Sequence, residues 1–333
     1  MDEIASLPPV TKKPALPVLT PTPKDWLFLA FVVLLGGSSF SGIRIAVETA
    51  PPAVVGAGRL WVAAIFLTIY MFATGRRFPP LLEQGRPSPA WAFAIAIAAT
   101  GYSVPMFLFP FAQQSVSSLL AGIYMAFMPL VTVVLAALFA DEPLTRNKIL
   151  GTLLGLTGVM ALILPAFPAD GLNASVIAQL ALIIATTGYA ISSVMMRRAP
   201  QVAARSFGAM VLVCAAILLT PFAIHTYVES AASVSGASMA AIFYLGVLPT
   251  GLSTICIIHM IRSAGASFLA VANYVTPGAA IIFGIVLFHE VLTGWHVLGL
   301  ATILCGVFVA QPGPVLSLIQ RLKSPRSDRN LTP

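Results

Sequence analysis

The sequence EPLTRNKILGTLLGLTGV occupies residues 142–159, and a related sequence, EVLTGWHVLGLATILCGV, occupies residues 290–307. Eight of these eighteen positions are identical at a constant offset of 148 residues. The same offset aligns the longer stretches 115–162 and 263–310 without a gap. Self-similarity at a fixed spacing is typical of repeat architectures, so we interpret the chain as two copies of one unit.

The composition is that of an integral membrane protein. Hydrophobic residues make up 58% of the 333 residues, charged residues make up 9%, and the mean hydropathy is +0.95. Apolar runs of roughly 20 residues, the length that a helix needs to cross a bilayer, recur along most of the chain. Backbone groups in lipid must be satisfied internally, and these runs do not alternate as barrel strands do. We therefore predict an all-α integral membrane protein.

The predicted membrane spans fall into two groups of five, which gives ten transmembrane helices. The first repeat covers residues 26–165 and the second covers 174–311, between a disordered, Pro-rich tail at 1–25 and a second tail at 312–333. Because five is odd, the second repeat must enter the bilayer from the opposite side, which predicts two inverted five-helix repeats. With the amino terminus in the cytoplasm, 16 of the 18 Lys and Arg residues fall on the inner side, so both termini are predicted to be cytoplasmic.

Several function classes are excluded by the same residues. The net charge of +7 comes from basic residues in alternate loops, which is a topology signal and indicates no nucleic-acid partner. The cysteines lie inside apolar spans without metal-ligand spacing, and His289 lacks the second histidine of a zinc-binding helix. The sequence has no Walker-type loop and no clustered nucleophile. We predict no enzyme, no primary pump, no cofactor and no metal.

Several features resemble the drug/metabolite transporter superfamily, specifically its ten-span bacterial EamA-type exporters. They are Gly36-Gly37-Ser38-Ser39-Phe40 in span one, Arg59 in span two, a proline in each of spans four and nine, and the repeated Glu-x-Leu-Thr turn before glycine-rich spans. Span one departs from the family pattern, which usually has Trp-Gly before the small polar pair. The resemblance covers residues 26–311. It implies an inner-membrane bundle with a central cavity that exports small organic metabolites, such as amino acids, by alternating access.

Polar side chains inside apolar spans mark the candidate cavity, because they are costly to bury in lipid. Arg59 is the leading candidate, since a guanidinium can bind a solute carboxylate bidentately. An arginine that snorkels or bonds to backbone carbonyls is the alternative. Close helix packing is likewise an alternative role for small hydroxyl residues. The other candidate lining residues are Ser38, Ser39, Phe40, Tyr102, Tyr124, Tyr189, Tyr244, Asn273 and Tyr274.

Two further pairs of residues carry predictions. Pro129 and Pro277 remove a backbone donor within spans four and nine, which predicts kinks or hinges that shape the cavity. Glu142 and Glu290 each precede a threonine and a helix start, so a structural turn is favoured over catalysis. Thr145 is predicted to cap the fifth span. No Asp or Glu lies deep within a predicted span. Multidrug efflux of bulky apolar or cationic compounds is the alternative to metabolite export. Carriers of cations often hold such a carboxylate, so its absence favours metabolite export.

Overall fold

The structure is a computed structural model that describes residues 21–311, apart from residues 84, 140–144, 167–172, 231–232, 265 and 270. Residues 1–20 and 312–333 of the predicted tails lie outside the described residues, as does Glu142 of the first turn. The first helix begins at Pro23, inside the predicted tail, because Thr22 and Asp25 form a reciprocal capping box at its start.

The described chain is helical. The helices are α1 (Pro23–Ala46), α2 (Pro52–Ala73), α3 (Pro89–Ala98), α4 (Val104–Ala112), α5 (Ser118–Tyr124), α6 (Met128–Phe139), α7 (Arg146–Ile163), α8 (Ala174–Arg198), α9 (Ala204–Ser230), α10 (Gly236–Leu245), α11 (Ser253–Ser263), α12 (Ala266–Leu269), α13 (Ala272–Phe288) and α14 (Gly294–Ala310). A π-helical segment at Ala99–Ser103 joins α3 to α4, and another at Gly246–Leu252 joins α10 to α11. Residues Met125–Phe127 and Leu164–Ala166 form 3₁₀ turns. The strands β1 (Leu82–Glu83) and β2 (Arg86–Pro87) form one small antiparallel pair.

Eight stretches of the described chain are long and apolar enough to cross a membrane, and two shorter apolar helices follow them. The shorter two, α13 and α14, have 17 residues each. At 1.5 Å per residue they are about 26 Å long, somewhat less than the roughly 30 Å of a bilayer core. The ten predicted spans thus correspond to eight full-length candidates and two shorter ones.

Glycines bring α7 and α14 together backbone to backbone. A Cβ atom at Gly151 would lie 2.4 Å from the carbonyl oxygen of Gly306, and one at Gly306 would lie 2.5 Å from that of Gly151. A Cβ atom at Gly158 would lie 2.8 Å from the oxygen of Gly299, and one at Gly299 would lie 3.1 Å from that of Gly158. The two helices are therefore antiparallel. The offset of 148 residues relates Gly151 to Gly299 and Gly158 to Gly306, so the repeat converts one of these contacts into the other.

The start of α7 agrees with the sequence prediction. Thr145 was expected to cap this helix, and its Oγ1 accepts a hydrogen bond from the Lys148 backbone N–H at 3.3 Å. Thr293 caps α14 in the same way, accepting from the His296 backbone N–H. The cap prediction is confirmed for Thr145.

The two halves of the fourth span pack against different partners. Helix α5 packs against α13, where a Cβ atom at Gly122 would lie 2.3 Å from the Cβ of Ala280. Helix α6, which begins one residue before Pro129, packs against α8. Pro277 lies inside α13. Pro129, one of the two prolines that were predicted to bend spans four and nine, therefore lies where span four changes its partner.

Candidate functional site

A cavity of about 130 Å³ lies among helices from both halves of the chain. Four of the predicted residues line it: Ser39, Phe40, Arg59 and Tyr189. The other lining residues are Gly36, Ile43, Pro105, Met106, Phe109, Met125, Pro249 and Thr276. The cavity is mainly apolar, and Arg59 is the charged residue among those that line it.

Among the described residues, Arg59 makes one side-chain hydrogen bond and faces no counter-ion. The residue is 8% exposed, and its Nε donates to Thr250 Oγ1 at 2.7 Å. Within the described part of the chain, no carboxylate oxygen lies within 4 Å of its guanidinium, and its two Nη groups make no hydrogen bond. A buried charge without a partner is energetically costly. The arrangement therefore favours an anionic group in the adjoining cavity.

The backbone around Thr250 explains how Arg59 is anchored. Thr250 lies in the π-helical segment between α10 and α11, and its Oγ1 donates at 2.8 Å to the carbonyl oxygen of Leu245, five residues earlier. This bond orients the hydroxyl so that it accepts from Arg59 Nε. One edge of the guanidinium is thereby fixed, while the Nη groups make no hydrogen bond within the described residues. Short π-helical segments are often found at functional sites.

Tyrosines surround Arg59 with polar but uncharged groups. Tyr102, Tyr189 and Tyr244 all lie close enough to interact electrostatically with its guanidinium. Tyr102 lies in the first π-helical segment and corresponds to Thr250 at the offset of 148 residues. Equivalent positions of the two π-helical segments thus flank Arg59.

Aromatic rings and small hydroxyl side chains complete this region. The ring centroids of Phe40 and Phe109 are 5.7 Å apart, and those of Phe109 and Tyr189 are 6.0 Å apart. Ser38 Oγ shares a 2.6 Å hydrogen bond with the Tyr244 hydroxyl, which ties α1 to α10. Ser39 Oγ donates to the carbonyl oxygen of Gly36 at 2.8 Å. Both serines therefore make structural hydrogen bonds, and Ser39 also lines the cavity.

Three predicted lining residues have other surroundings. Tyr124 is fully buried in the apolar core, where its hydroxyl donates to Gln179 Oε1 at 2.8 Å. Asn273 is exposed and Tyr274 is half-buried, both near the start of α13. The hydroxyl of Tyr124 is thus engaged within the protein.

Glu290 joins three separate parts of the chain at one end of the bundle, which we call the Glu290 end. Its Oε1 accepts hydrogen bonds from Arg44 Nη1, the Ser118 backbone N–H and Ser118 Oγ, each at 2.9 Å. Its Oε2 accepts from the Leu119 backbone N–H at 2.7 Å. The Glu290 side chain is 7% exposed and caps the start of α5. Arg44 also lies over the Phe288 ring, with Cζ 4.9 Å from the centroid.

A larger, open depression at the Glu290 end has a volume of about 570 Å³. We call it the bowl. It lies between the end of α1 and the segment that joins α4 to α5. Its lining residues are Arg44, Val47, Glu48, Gln113, Gln114, Ser115, Val116 and Ser117.

Asp25 forms a second polar cluster at the opposite end of α1. The fully buried side chain accepts hydrogen bonds from the Thr22 backbone N–H at 2.8 Å and from Thr22 Oγ1 at 2.7 Å. It also accepts from Ser263 Oγ, and His259 Nε2 is 3.9 Å from its Oδ1. Asp25 thereby links the start of α1 to the end of α11. The sequence analysis missed this role because the residue lies at the edge of the predicted tail.

Comparison with known proteins identifies the family. A model described as the EamA-like transporter family matches residues 23–164 and again residues 176–310. The chain belongs to the EamA-like transporter family. It is therefore a multi-pass membrane transporter of the drug/metabolite transporter superfamily, as the sequence resemblance predicted.

Relatives and a solved structure agree with this EamA-like assignment. The chain is 21% identical over 290 residues to the uncharacterized transporter YoaV of Bacillus subtilis, covering 86% of this chain and 96% of YoaV. It is 25% identical over 291 residues to the uncharacterized inner membrane transporter YedA of Escherichia coli, covering 87% of this chain and 90% of YedA. A crystal structure with 22% identity covers 91% of this chain and all of the other, with a TM-score of 0.60. That likeness supports the fold.

The sequence analysis of this EamA-like transporter missed Thr276, which lines the cavity, and Thr250, which binds Arg59. Each is a single hydroxyl in an apolar run, and Thr276 Oγ1 donates to the Ala272 carbonyl oxygen as helical threonines often do. The remaining signal was Pro249, which breaks the regular pattern of α-helical donors beside Thr250. Within the described residues, no group of three or more His, Cys, Asp or Glu side chains could hold a metal ion.

Proposed function

We propose that this transporter is a carrier that exports small organic solutes bearing a carboxylate, such as amino acids or related metabolites, by alternating access. The observation that carries the proposal is the environment of Arg59. Its guanidinium adjoins the cavity, is almost fully buried and has no carboxylate partner in the described chain. A solute carboxylate would accept from the Nη groups as a charge-assisted, bidentate pair.

The size of the cavity supports a small solute. Its volume of about 130 Å³ is below the roughly 300–1,000 Å³ of pockets for drug-sized ligands. The aromatic wall that includes Phe40 and Phe109 suits an aliphatic or aromatic side chain on that solute. The positive charge of Arg59 disfavours bulky cations, which makes multidrug efflux of cations the weaker candidate.

Two inverted five-helix halves are the proposed framework. The reciprocal, antiparallel glycine contacts between α7 and α14 are those expected for equivalent elements related by a two-fold axis. The π-helical segments at matching positions and the two separate family matches support the same arrangement. With α13 and α14 as short spans, the chain has ten spans.

Glu290 is the proposed latch for one state of the carrier. Its carboxylate ties the turn after α13 to the start of α5 and to Arg44 at the end of α1. These contacts hold spans one, four and nine together at the Glu290 end. Opening of that end requires Glu290 to leave α5, while Pro129 and Pro277 provide the proposed bends along spans four and nine.

The charge distribution suggests the orientation. Positive residues concentrate on the side of Asp25 and of the predicted tails, so that side is proposed to be cytoplasmic. The Glu290 end then faces outward, and its closure corresponds to an inward-facing or occluded carrier. The proposed location is a bacterial-type inner membrane.

Counterflow in liposomes tests the proposed function. Liposomes that contain the purified carrier are loaded with one unlabelled solute from a panel of amino acids, organic anions and bulky cations. Uptake of a labelled amino-acid pool is followed, and a parallel assay follows uptake of a labelled bulky cation. We expect amino acids or organic anions on the inside to drive uptake and bulky cations to be inactive. If the carrier exchanges a labelled bulky cation but no amino acid or organic anion, multidrug efflux replaces this proposal.

A further inference from the structure

We infer that the bowl at the Glu290 end is a second solute-binding site, for a zwitterion that carries a carboxylate and an ammonium group. The inference rests on the proposed function, because it assigns the same class of solute, but its site is separate from Arg59. The bowl has room for such a solute, with a volume of about 570 Å³. Its wall brings together a cation, an anion and an amide: Arg44, Glu48 and Gln113.

Gln113 is the observation that points to a ligand. The residue is 5% exposed, yet neither Oε1 nor Nε2 of its amide has a hydrogen-bond partner among the residues that the structure describes. A buried amide without partners is costly, and such groups in native proteins usually have an explanation such as a bound water or ligand. The amide offers two donors and an acceptor, so it can bind either charged group of a zwitterion.

The charged residues of the bowl keep some polar groups available within the described residues. Arg44 gives Nη1 to Glu290, and its other donors make no hydrogen bond within the described residues. Glu48, four residues further along the chain, is exposed and makes neither an ion pair nor a side-chain hydrogen bond in that part of the chain. A cation and an anion on one wall, left apart from each other, complement the two charges of an amino acid.

The position of Arg44 gives this site a place in the transport cycle. A solute carboxylate that binds the remaining donors of Arg44 shares the positive charge of this guanidinium with Glu290. Solute in the bowl therefore weakens the contact that holds spans one and nine together. In the proposed orientation, the bowl is the last site that an exported solute occupies before release.

Equilibrium binding separates the bowl from the central cavity. The full-length protein in detergent is titrated with a labelled mixture of neutral α-amino acids, as wild type and as Arg59→Gln, which removes the charge of the central site. We expect Arg59→Gln to keep one component of binding at millimolar concentration. Adding Gln113→Leu or Glu48→Gln should weaken that component roughly tenfold, the order expected for one hydrogen bond to a charged group.

Controls distinguish a binding role from a structural one. Glu229 is an exposed carboxylate on α9 whose partner is His225, and Glu229→Gln should leave the residual binding unchanged. Gln113→Leu removes an unpaired buried amide, so its thermal unfolding temperature should equal or exceed that of the wild type. The corresponding amines and carboxylic acids, each lacking one charge, should compete at least tenfold less well than the amino acids.

The outcomes also separate this inference from the proposed function. If wild-type counterflow proceeds but Arg59→Gln binds nothing, the bowl is not a site and the proposed function stands. The inference would also be overturned if neither Gln113→Leu nor Glu48→Gln weakens the residual binding of the Arg59→Gln protein. If counterflow of amino acids fails while Arg59→Gln still binds them through Gln113 and Glu48, the bowl stands and the proposed transport cycle fails. Absence of binding to any variant, wild type included, overturns both.

Discussion

Replacement of Glu290 by glutamine tests whether this side chain holds the Glu290 end closed. The carboxylate accepts four hydrogen bonds, from Arg44, from the backbone and hydroxyl of Ser118, and from the backbone of Leu119. A glutamine of nearly the same shape keeps one acceptor oxygen. It presents an NH₂ group, instead of the second oxygen, to groups that are themselves donors. The closed state alone makes these contacts in the proposed cycle, so the substitution should destabilise it selectively.

The size of the effect follows from the individual contacts. The Arg44 side chain is 39% exposed, so its ion pair contributes only about 0.5 kcal/mol after screening. Loss of the negative charge at the start of α5 costs about 1 kcal/mol. Leaving one buried backbone N–H unpaired costs about 1–2 kcal/mol. Together these effects amount to about 3 kcal/mol, which shifts the ratio of closed to open carriers roughly 100-fold.

Accessibility of the cavity measures this shift. Ser39 lines the cavity, and Ser39→Cys in a cysteine-free background provides a nearly isosteric reporter. A membrane-impermeant thiol reagent applied from the Glu290 side should modify this cysteine at least tenfold faster when Glu290→Gln is added. Glu229→Gln, which changes an exposed carboxylate on α9, should leave the rate unchanged. An unchanged rate in folded Glu290→Gln protein would refute the latch.

Two other substitutions test the site and the framework. Thr250→Val removes the hydroxyl that accepts from Arg59 Nε at 2.7 Å, a charge-assisted bond of about 1.5–3 kcal/mol. The KM of counterflow should therefore rise roughly tenfold, while Thr250→Ser stays near wild type. Equal KM values for the two variants would contradict the anchoring role. Gly306→Ala places a Cβ atom 2.5 Å from the Gly151 carbonyl oxygen, so overpacking of about 1–3 kcal/mol should lower the thermal unfolding temperature. Gly278→Ala, which meets nothing within 4 Å, is the matched control, and equal unfolding temperatures for the two alanine variants would argue against the close packing of α7 and α14.

Local sequence signals predicted the parts of the fold that depend on local chemistry. Most of the ten predicted spans correspond to long, apolar helical stretches, because apolar length and capping residues such as Thr145 act on their own neighbours. The ninth span is the exception. Its α-helix is divided into α12 and α13, and the longer part begins only at Ala272. No strong breaker such as proline marks that division in the sequence between residues 263 and 272.

The site was only partly predictable, because its contacts join distant residues. Arg59 was recognisable as a charge inside an apolar span. Its anchor, Thr250, is 191 residues away in the sequence. The position of the Thr250 hydroxyl depends on a π-helical segment that no local sequence pattern predicted. The tyrosines show the same limit, since Tyr189 lines the cavity while Tyr124 is engaged by Gln179 in the core. Apolar periodicity does not separate these two environments.

The most direct test of the account compares an amino acid with the amine that lacks its carboxylate. Their ability to compete in counterflow is measured for wild type, Arg59→Lys and Arg59→Gln, with thermal unfolding as the check on folding. If Arg59 binds the solute carboxylate, the wild type and Arg59→Lys prefer the amino acid at least tenfold, and Arg59→Gln loses that preference. An unchanged preference in folded Arg59→Gln protein would show that Arg59 does not recognise the carboxylate of the solute.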